Sequence, residues 1–272
     1  MTRTPRDIAL FISDIDGTLV RHDKSLADAT VAAIGRLVDA GIAASLISAR
    51  PISGMMWIIE KLGLKGPFAA FNGGTVFDAQ GTIIEAAHLD DDLSADVLAL
   101  IGTRCEAWLF TGGQWYAQDA STLHSDNERK AASQEPDVRH DLLPLAKAVD
   151  KLVAVSDDSD LLDAIEREAH AKFEGRANIV RSQTYYLDFT APTANKGDGI
   201  AALAKVFEVP LDRVAVAGDM NNDVPMFERA GYAIAMGQAP EKVRDKADLV
   251  STSNDDDGVA HAIDRLLGGE LE

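Results

Sequence analysis

The stretch FISDIDGTLV, Phe11 to Val20, places two aspartates directly after a short apolar run. The run IALFI, which leads into this stretch, has the length and composition of a buried β-strand. Asp14 and Asp16 would therefore follow the carboxyl end of that strand. In open parallel sheets ligands bind at this end, so the stretch predicts reactive carboxylates at the edge of an α/β sheet.

The surrounding sequence has the pattern of repeated βαβ units. From residue 8 to residue 76, short apolar runs alternate with segments of helical period, and similar units return after Asn195. In the first helical segment Ile34, Leu37 and Val38 are expected on one buried face. We predict a doubly wound α/β core with a mostly parallel, Rossmann-like sheet.

The middle of the chain has a different pattern. Residues 86–190 are expected to form a self-contained α+β insertion, and residues 1–85 and 191–272 the discontinuous core. The predicted elements of the insertion are a helix at 94–101, a hairpin around Gly112 and Gly113, a polar helical stretch, a strand at 151–156, a helix at 161–173 and a strand at 184–189.

Composition excludes several classes of function. The chain has 26 Lys plus Arg against 44 Asp plus Glu, a formal net charge of −18, which argues against a nucleic-acid groove or binding to an anionic membrane. Its polar first residues and short apolar runs fit neither a signal peptide nor a membrane span, so a cytoplasmic protein is expected. Cys105 is the single cysteine, which excludes an intrachain disulfide.

Three predicted strands end in a chemically reactive side chain. Asp14, Ser48 and Asp219 each follow an apolar run, and Lys196 stands at the start of a predicted helix, where backbone N–H groups favour an anion. Asp16 and Asp223 add two further carboxylates. Such a concentration of negative charge beside a phosphate requires a hard cation with oxygen ligands, and Mg²⁺ fits best.

The same residues predict a covalent phosphoryl transfer. Asp14 is placed to attack phosphorus and form an aspartyl-phosphate. Asp16 can protonate the departing alcohol and later deprotonate the hydrolytic water. Ser48 and Lys196 would bind the equatorial phosphoryl oxygens.

Four sequence motifs, taken in their order along the chain, resemble those of the haloacid dehalogenase-like phosphatases, and within that family those of the Cof-type subgroup. They are DIDGTLV from residue 14, LISAR with Ser48, the lysine at 196 and GDMNNDVPMF from residue 218. FNGGTVF and the terminal ADLVSTSNDDDGVAHAI also look like features of the subgroup. The resemblance implies that the insertion is a cap for substrate specificity and that the substrate is a small phosphorylated metabolite, either a sugar phosphate or a phosphorylated cofactor.

The resemblance also implies roles for individual residues. It gives Asp14 and Asp16 as catalytic, and Ser48, Lys196 and Asn222 as phosphate-binding. Asp14, Asp16 and Asp219 are implied as metal ligands, with Asp223 supporting the ligands without binding the metal itself.

Two departures from the family pattern leave alternatives open. Ala49 stands where the second motif has glycine, and Met220 where smaller or differently polar residues are common. They motivate a catalytically idle, ligand-sensing protein as one alternative. A sugar phosphomutase is the other, because the resemblance extends to related folds that pass the phosphoryl group back to a second hydroxyl of the same sugar. The segment GDGIAA at 197–202 imitates a dinucleotide fingerprint, but Pro192 and TANK separate it from the preceding strand. Residues 253–264 imitate a calcium loop that lacks the final glutamate.

Overall fold

The computed structural model describes residues 7–268, which form two compact units. The first unit contains residues 7–49, 56–84 and 195–268, and the second contains residues 50–55 and 85–194. The first six residues, on which the prediction of no signal peptide partly rests, lie outside the described residues. No helix of the described part is long and apolar enough to span a membrane.

The first chain segment alternates strands and helices as its sequence pattern predicts. Its elements are β1 (Leu10–Ser13), α1 (Asp28–Asp39), β2 (Ala43–Leu46), α2 (Ile52–Leu62), β3 (Phe68–Ala70), β4 (Thr75–Phe77) and β5 (Ile83–Ala86). Helix α1 ends before Gly41, whose φ of 84° allows the chain to turn back into β2. The prediction that Val38 lies on the buried face of α1 is wrong. The residue is 47% exposed, because the buried face of α1 is centred on Thr30, Ala33, Ile34 and Leu37, and Val38, one turn after Ile34, lies at the margin of that face.

The inserted segment forms a mostly antiparallel sheet with helices, in which only β7 and β8 pair in parallel. Its elements are α3 (Asp91–Ile101), β6 (Glu106–Thr111), β7 (Gln114–Ala117), α4 (Leu123–Ala132), β8 (Asp137–Val138), β9 (Val149–Val155), α5 (Ser159–Phe173), β10 (Asn178–Gln183) and β11 (Tyr186–Thr190). The strand order is β10-β11-β9-β6-β7-β8. Helices α3 and α5 cover one sheet face through an apolar cluster that includes Leu93, Ile165 and Leu152.

The last segment returns to the parallel sheet. It contributes α6 (Lys196–Val206), β12 (Val214–Gly218), α7 (Val224–Arg229), β13 (Tyr232–Ala235), α8 (Glu241–Arg244), β14 (Leu249–Val250) and α9 (Gly258–Gly268). The core sheet has the order β14-β13-β12-β1-β2, and each neighbouring pair is parallel. The predicted α/β core is therefore confirmed.

Helices on both faces explain why the core strands are apolar throughout. Every residue of β1 and β12 is buried. Ile200 and Leu203 of α6 belong to the cluster on one face, whereas α1 and α9 contact each other and are joined by an ion pair between Arg36 and Asp264. Strands buried on both faces read as continuous hydrophobic runs, as the sequence shows.

Candidate active site

Asp14 is the first residue after β1, which lies between β12 and β2 in the parallel sheet. Its backbone N–H donates to the carbonyl of Ala217 in β12 at 2.9 Å, and Ser13 aligns with Ala217 on one side and with Leu46 on the other. The residues that follow β1, β2 and β12 therefore emerge at one sheet edge. The Asp14 side chain is almost fully buried there.

Asp219 follows β12 and packs against the turn that begins with Asp14. Gly17 has φ of 80°, and a methyl group added to it would lie 2.8 Å from Cγ of Asp219. The Thr18 hydroxyl donates to Oδ1 of Asp219 at 3.1 Å. Glycine is therefore required at position 17 for its backbone conformation and for the space that the Asp219 carboxylate occupies.

Asp223 holds the turn after β12 in place. Its Oδ2 accepts hydrogen bonds from the backbone N–H groups of Asp219 and Met220 at 2.8 and 2.9 Å, and its Oδ1 accepts from Nζ of Lys196 at 2.5 Å. These three donors fix the carboxylate in one orientation. The arrangement fits the predicted supporting role of Asp223.

Lys196 is the first residue of α6 and is buried with its charge. The side chain of Asn195 caps the helix by accepting from the N–H of Asp198 at 3.0 Å. From this position Nζ of Lys196 lies 2.5 Å from Oδ1 of both Asp14 and Asp223, although Lys196 and Asp14 are 182 positions apart. A buried ammonium requires such partners, because isolation from water is strongly unfavourable.

Three carboxylates form a group suited to a cation. One oxygen from each of Asp14, Asp219 and Asp223 lies within 4.8 Å of the others. One lysine does not neutralise three carboxylates, and clustered hard oxygen atoms are the ligands that divalent Mg²⁺ or Ca²⁺ prefer. The residues present therefore fit a divalent metal.

The pKa values of these buried side chains are shifted in the direction that an excess of negative charge produces. Burial raises the pKa of Asp14 well above its usual value, and the charges of Asp223 and Asp219 raise it further against the opposing effect of Lys196. Burial, followed by the charge of Asp223, raises the pKa of Asp219 to about 6. For Lys196, burial lowers the pKa, but Asp14 and Asp223 outweigh burial and the net shift is upward. A bound cation would favour the ionised form of both aspartates.

Asp16 lies two residues beyond Asp14, and its carboxylate has a different partner. Oδ1 of Asp16 accepts from Nζ of Lys24 at 2.9 Å, and both side chains are at least one-third exposed. The carboxylate of Asp16 is not a member of the three-carboxylate group. An exposed position suits a group that exchanges protons with a leaving group and water, and the proposed role of Asp16 as a metal ligand stays a prediction.

Ser48 and Asn222 lie on the segments that follow β2 and β12. Ser48 follows β2 by two residues and is buried, with its N–H donating to the carbonyl of Ala69. Asn222 immediately precedes Asp223, and its Nδ2 donates to Oδ1 of Asn72 at 3.2 Å. Their predicted contacts with phosphate remain predictions.

Sequence reasoning missed three residues of this region. Thr18 and Lys24 bond to the carboxylates of Asp219 and Asp16, and Asn72 bonds to Asn222. Thr18 could have been identified from the sequence, because it lies in the first motif, DIDGTLV. Lys24 had no comparable signal, since a lone lysine in a polar loop is an ordinary surface residue.

The sequence pattern of the haloacid dehalogenase-like hydrolases matches residues 11–263. The chain belongs to that family. The match extends over all four motifs, and it supports the Cof-type subgroup that the motifs resemble. This hydrolase is therefore an enzyme. Its candidate catalytic centre is the cluster of three carboxylates, Asp14, Asp219 and Asp223, at the edge of the sheet.

Individual relatives of this hydrolase cover nearly its whole length. A Streptococcus pyogenes protein is 30% identical over 263 residues, covering 94% of this chain and 97% of that one. The Bacillus subtilis 5-amino-6-(5-phospho-D-ribitylamino)uracil phosphatase YwtE is 27% identical over 282 residues, covering 94% and 97%. Both relatives have phosphatase in their names.

A solved structure has the same fold as this hydrolase. The haloacid dehalogenase-like hydrolase from Bacteroides thetaiotaomicron superposes with a TM-score of 0.88 at 25% identity, and the alignment covers 95% of this chain and 99% of that chain. The insertion is therefore part of the shared fold.

Proposed function

We propose that this hydrolase is a Mg²⁺-dependent phosphatase that acts on a small phosphorylated metabolite through an aspartyl-phosphate on Asp14. One observation carries the proposal. Nζ of Lys196 lies 2.5 Å from Asp14 within a group that also contains the carboxylates of Asp219 and Asp223. Three charged side chains from two remote chain segments thus surround the carboxylate that would react.

In the first half of the reaction, an oxygen of Asp14 attacks phosphorus and the bond from phosphorus to the leaving oxygen breaks. Asp16 gives its proton to the departing alcohol. Ser48, Lys196 and Asn222 bind the phosphoryl oxygens, on which negative charge is spread in the transition state. Asp14 is left as a mixed anhydride with phosphate.

In the second half, water attacks phosphorus and the bond from phosphorus to the Asp14 oxygen breaks. Asp16, now ionised, takes a proton from this water. Inorganic phosphate is released and both aspartates return to their initial states. Mg²⁺, held by Asp14 and Asp219 together with Asp16, would supply positive charge that offsets the negative charge of phosphate and carboxylates.

The substrate class is proposed from the relatives and from the insertion. Two Bacillus subtilis relatives, YwtE and YitU, are named for a ribitylamino-uracil phosphate, a cofactor-like compound with a sugar-alcohol chain. We propose a sugar phosphate or a phosphorylated cofactor precursor for this hydrolase. Residues 86–190 would serve as the cap that contacts the part of the substrate that leaves.

Phosphate release from a panel of sugar phosphates, phosphorylated cofactor precursors and an aryl phosphate tests the proposal. The wild type should turn over at least one of them with Mg²⁺ and none with excess chelator. Asp14→Asn should lose at least 10³-fold in kcat, because removal of a nucleophile that acts with its partners eliminates the covalent route. Full activity of this variant would overturn the mechanism. An isomerised sugar phosphate without free phosphate would indicate a mutase instead.

A further inference from the structure

The segment FNGG between β3 and β4 has an unusual backbone. Three successive residues, Phe71, Asn72 and Gly73, have positive φ angles of 50°, 58° and 99°. The left-handed region is unfavourable for a residue with a side chain, least so for asparagine. Such strain persists only where surrounding contacts fix the backbone, and it is concentrated at functional sites.

Contacts from this segment reach three different parts of the candidate site. The N–H of Asn72 donates to the carbonyl of Ser48 at 2.7 Å, and Oδ1 of Asn72 accepts from Nδ2 of Asn222 at 3.2 Å. Gly73 packs against the helix that begins with Lys196, since a methyl group added to Gly73 would lie 2.5 Å from Cα of Gly199. Each proposed phosphate-binding residue thus lies on an element that this segment touches.

A simple connection between two strands would not require all of these contacts. Positive φ at an asparagine and a glycine is common in tight turns. The side-chain hydrogen bond to a residue 150 positions away is not part of any turn. It occupies one donor of the Asn222 amide and thereby restricts the orientation of the whole amide group.

We infer that Asn72 is a positioning residue for the phosphate site. Its side-chain oxygen orients the Asn222 amide, and its backbone N–H fixes the loop that carries Ser48. Asn72 acts through these two residues on the phosphoryl oxygens. The inference rests on the proposed function, because it assumes that Ser48 and Asn222 bind phosphate.

Asn72→Gly is the decisive variant. Glycine adopts positive φ freely, so the backbone and its hydrogen bond to Ser48 are kept while the side-chain bond to Asn222 is lost. We expect Kd for inorganic phosphate, measured by calorimetry with Mg²⁺, to increase about three- to tenfold, the effect of one neutral hydrogen bond. KM for an aryl phosphate should increase similarly, with a smaller change in kcat.

Glu208→Gly is the matched control. Glu208 also has a left-handed backbone, with φ of 56°, but it is exposed beyond the end of α6. This variant relieves similar strain and should leave Kd for phosphate within twofold of wild type. Weakening in both variants would overturn the inference, since it would reflect backbone relaxation alone.

A double-mutant cycle separates positioning from a direct contact. If Asn72 acts through Asn222, then adding Asn72→Gly to Asn222→Ala should change Kd for phosphate by less than twofold. Additive losses would overturn the inference.

If Asn72→Gly fails to fold, Asn72→Asp keeps the accepting oxygen and tolerates the left-handed backbone. The Asn222 amide should then stay oriented, so phosphate binding should be weakened by the added charge at low salt but return to within twofold of wild type at 1 M salt, where that charge is screened. A Kd that remains weakened at 1 M salt would contradict the inference.

The inference and the proposed function can fail separately. A wild type that binds no phosphate and hydrolyses no phosphomonoester overturns the proposed function. A wild type that does both, together with an Asn72→Gly variant of unchanged Kd, overturns only the role of Asn72.

Discussion

At the scale of single residues, the site is dominated by more negative charge than its one lysine neutralises. The pKa of Asp219 is raised to about 6, chiefly by burial, so the metal-free fold disfavours its ionised form. An acid whose pKa is raised on folding destabilises the folded state at pH values above that pKa. A cation at the site removes this effect, so metal binding and folding stability are coupled.

Asp219→Asn should therefore stabilise the metal-free protein at pH 7. The neutral amide removes a buried like charge and still accepts a hydrogen bond from Thr18, so unfolding free energy should increase by about 1–3 kcal/mol. Calorimetry in chelator should show Tm higher by several degrees, at about 2–4 °C per kcal/mol for a chain of this size. Mg²⁺ should raise Tm of the wild type only. A variant that is less stable in chelator would contradict the charge argument.

Metal affinity should depend on pH in the direction that the pKa of Asp219 sets. Below about pH 6 a proton competes with the cation for the Asp219 carboxylate, whereas above about pH 6 this carboxylate is ionised and can bind the cation. Kd for Mg²⁺ should increase as pH falls, by up to tenfold per unit below pH 6 from Asp219 alone, and the raised pKa of Asp14 adds to the change in the same direction. Calorimetric titration at constant ionic strength measures it. A Kd that is unchanged at pH 5 would exclude Asp219 as a ligand.

Sequence reasoning at this scale identified residue types better than their partners. It selected Asp14, Lys196 and Asp219, which the structure brings together, because each follows a strand or begins a helix. It gave no sign that Lys24 pairs with Asp16. A salt bridge between exposed side chains depends on loop conformation, and loops have no periodic sequence pattern from which that conformation can be predicted.

At the scale of elements, the turn after β1 decides how closely two strand ends approach each other. Gly17 has a left-handed backbone and lies against the Asp219 carboxylate, and Nε2 of Gln238 donates a hydrogen bond to the Gly17 carbonyl at 2.6 Å. The turn therefore carries Asp16 while leaving space for the carboxylate at the end of the neighbouring strand. Its geometry is as important to the site as the charged residues.

Gly17→Ala and Gly41→Ala form a matched pair that tests this point. Both glycines have φ near 80°, so alanine should cost about 1–2 kcal/mol of backbone energy at either position. Nothing lies within 4 Å of a methyl group at Gly41, whereas one at Gly17 would overlap Asp219. We expect Tm to fall in both variants and further in Gly17→Ala, and we expect at least a tenfold loss of Mg²⁺ affinity in Gly17→Ala only. Equal metal affinity in both variants would show that the Asp219 carboxylate can move away.

The element boundaries in the insertion show where sequence patterns lose information. The hairpin around Gly112 and Gly113 was predicted, and β6 and β7 flank it. Strand β10, at Asn178–Gln183, was missed. It is an edge strand of partly exposed residues with a bulge in its pairing to β11, so neither strict alternation nor a continuous apolar run marks it.

At the scale of the whole molecule, the order of the motifs predicted which remote residues would meet. Parallel strands place their carboxyl ends at one edge, so residues separated by up to about 200 positions converge without any local signal of contact. The topology was readable because apolar runs and helices alternate regularly. The contacts between side chains, such as Asn72 with Asn222, followed only from coordinates.

The net charge of −18 is a property of the whole chain that should govern its response to salt. Excess like charge destabilises the compact state through self-repulsion, and added ions screen it over about 10 Å at 0.1 M. Several exposed ion pairs, among them Arg36 with Asp264 and Lys246 with Glu228, oppose this effect, but each contributes at most about 1 kcal/mol. Repulsion among the unpaired carboxylates should therefore prevail.

We expect Tm in chelator at pH 7.5 to increase by several degrees between 10 and 300 mM NaCl, and equally with KCl, because the effect depends on ionic strength rather than on the ion. Asp219→Asn should show nearly the same slope, since its charge is buried and screened less by salt. A Tm that falls with salt would mean that attractive surface pairs outweigh repulsion. If Tm of Asp219→Asn did not change with salt, the whole effect would instead come from the cluster of three carboxylates at the active site.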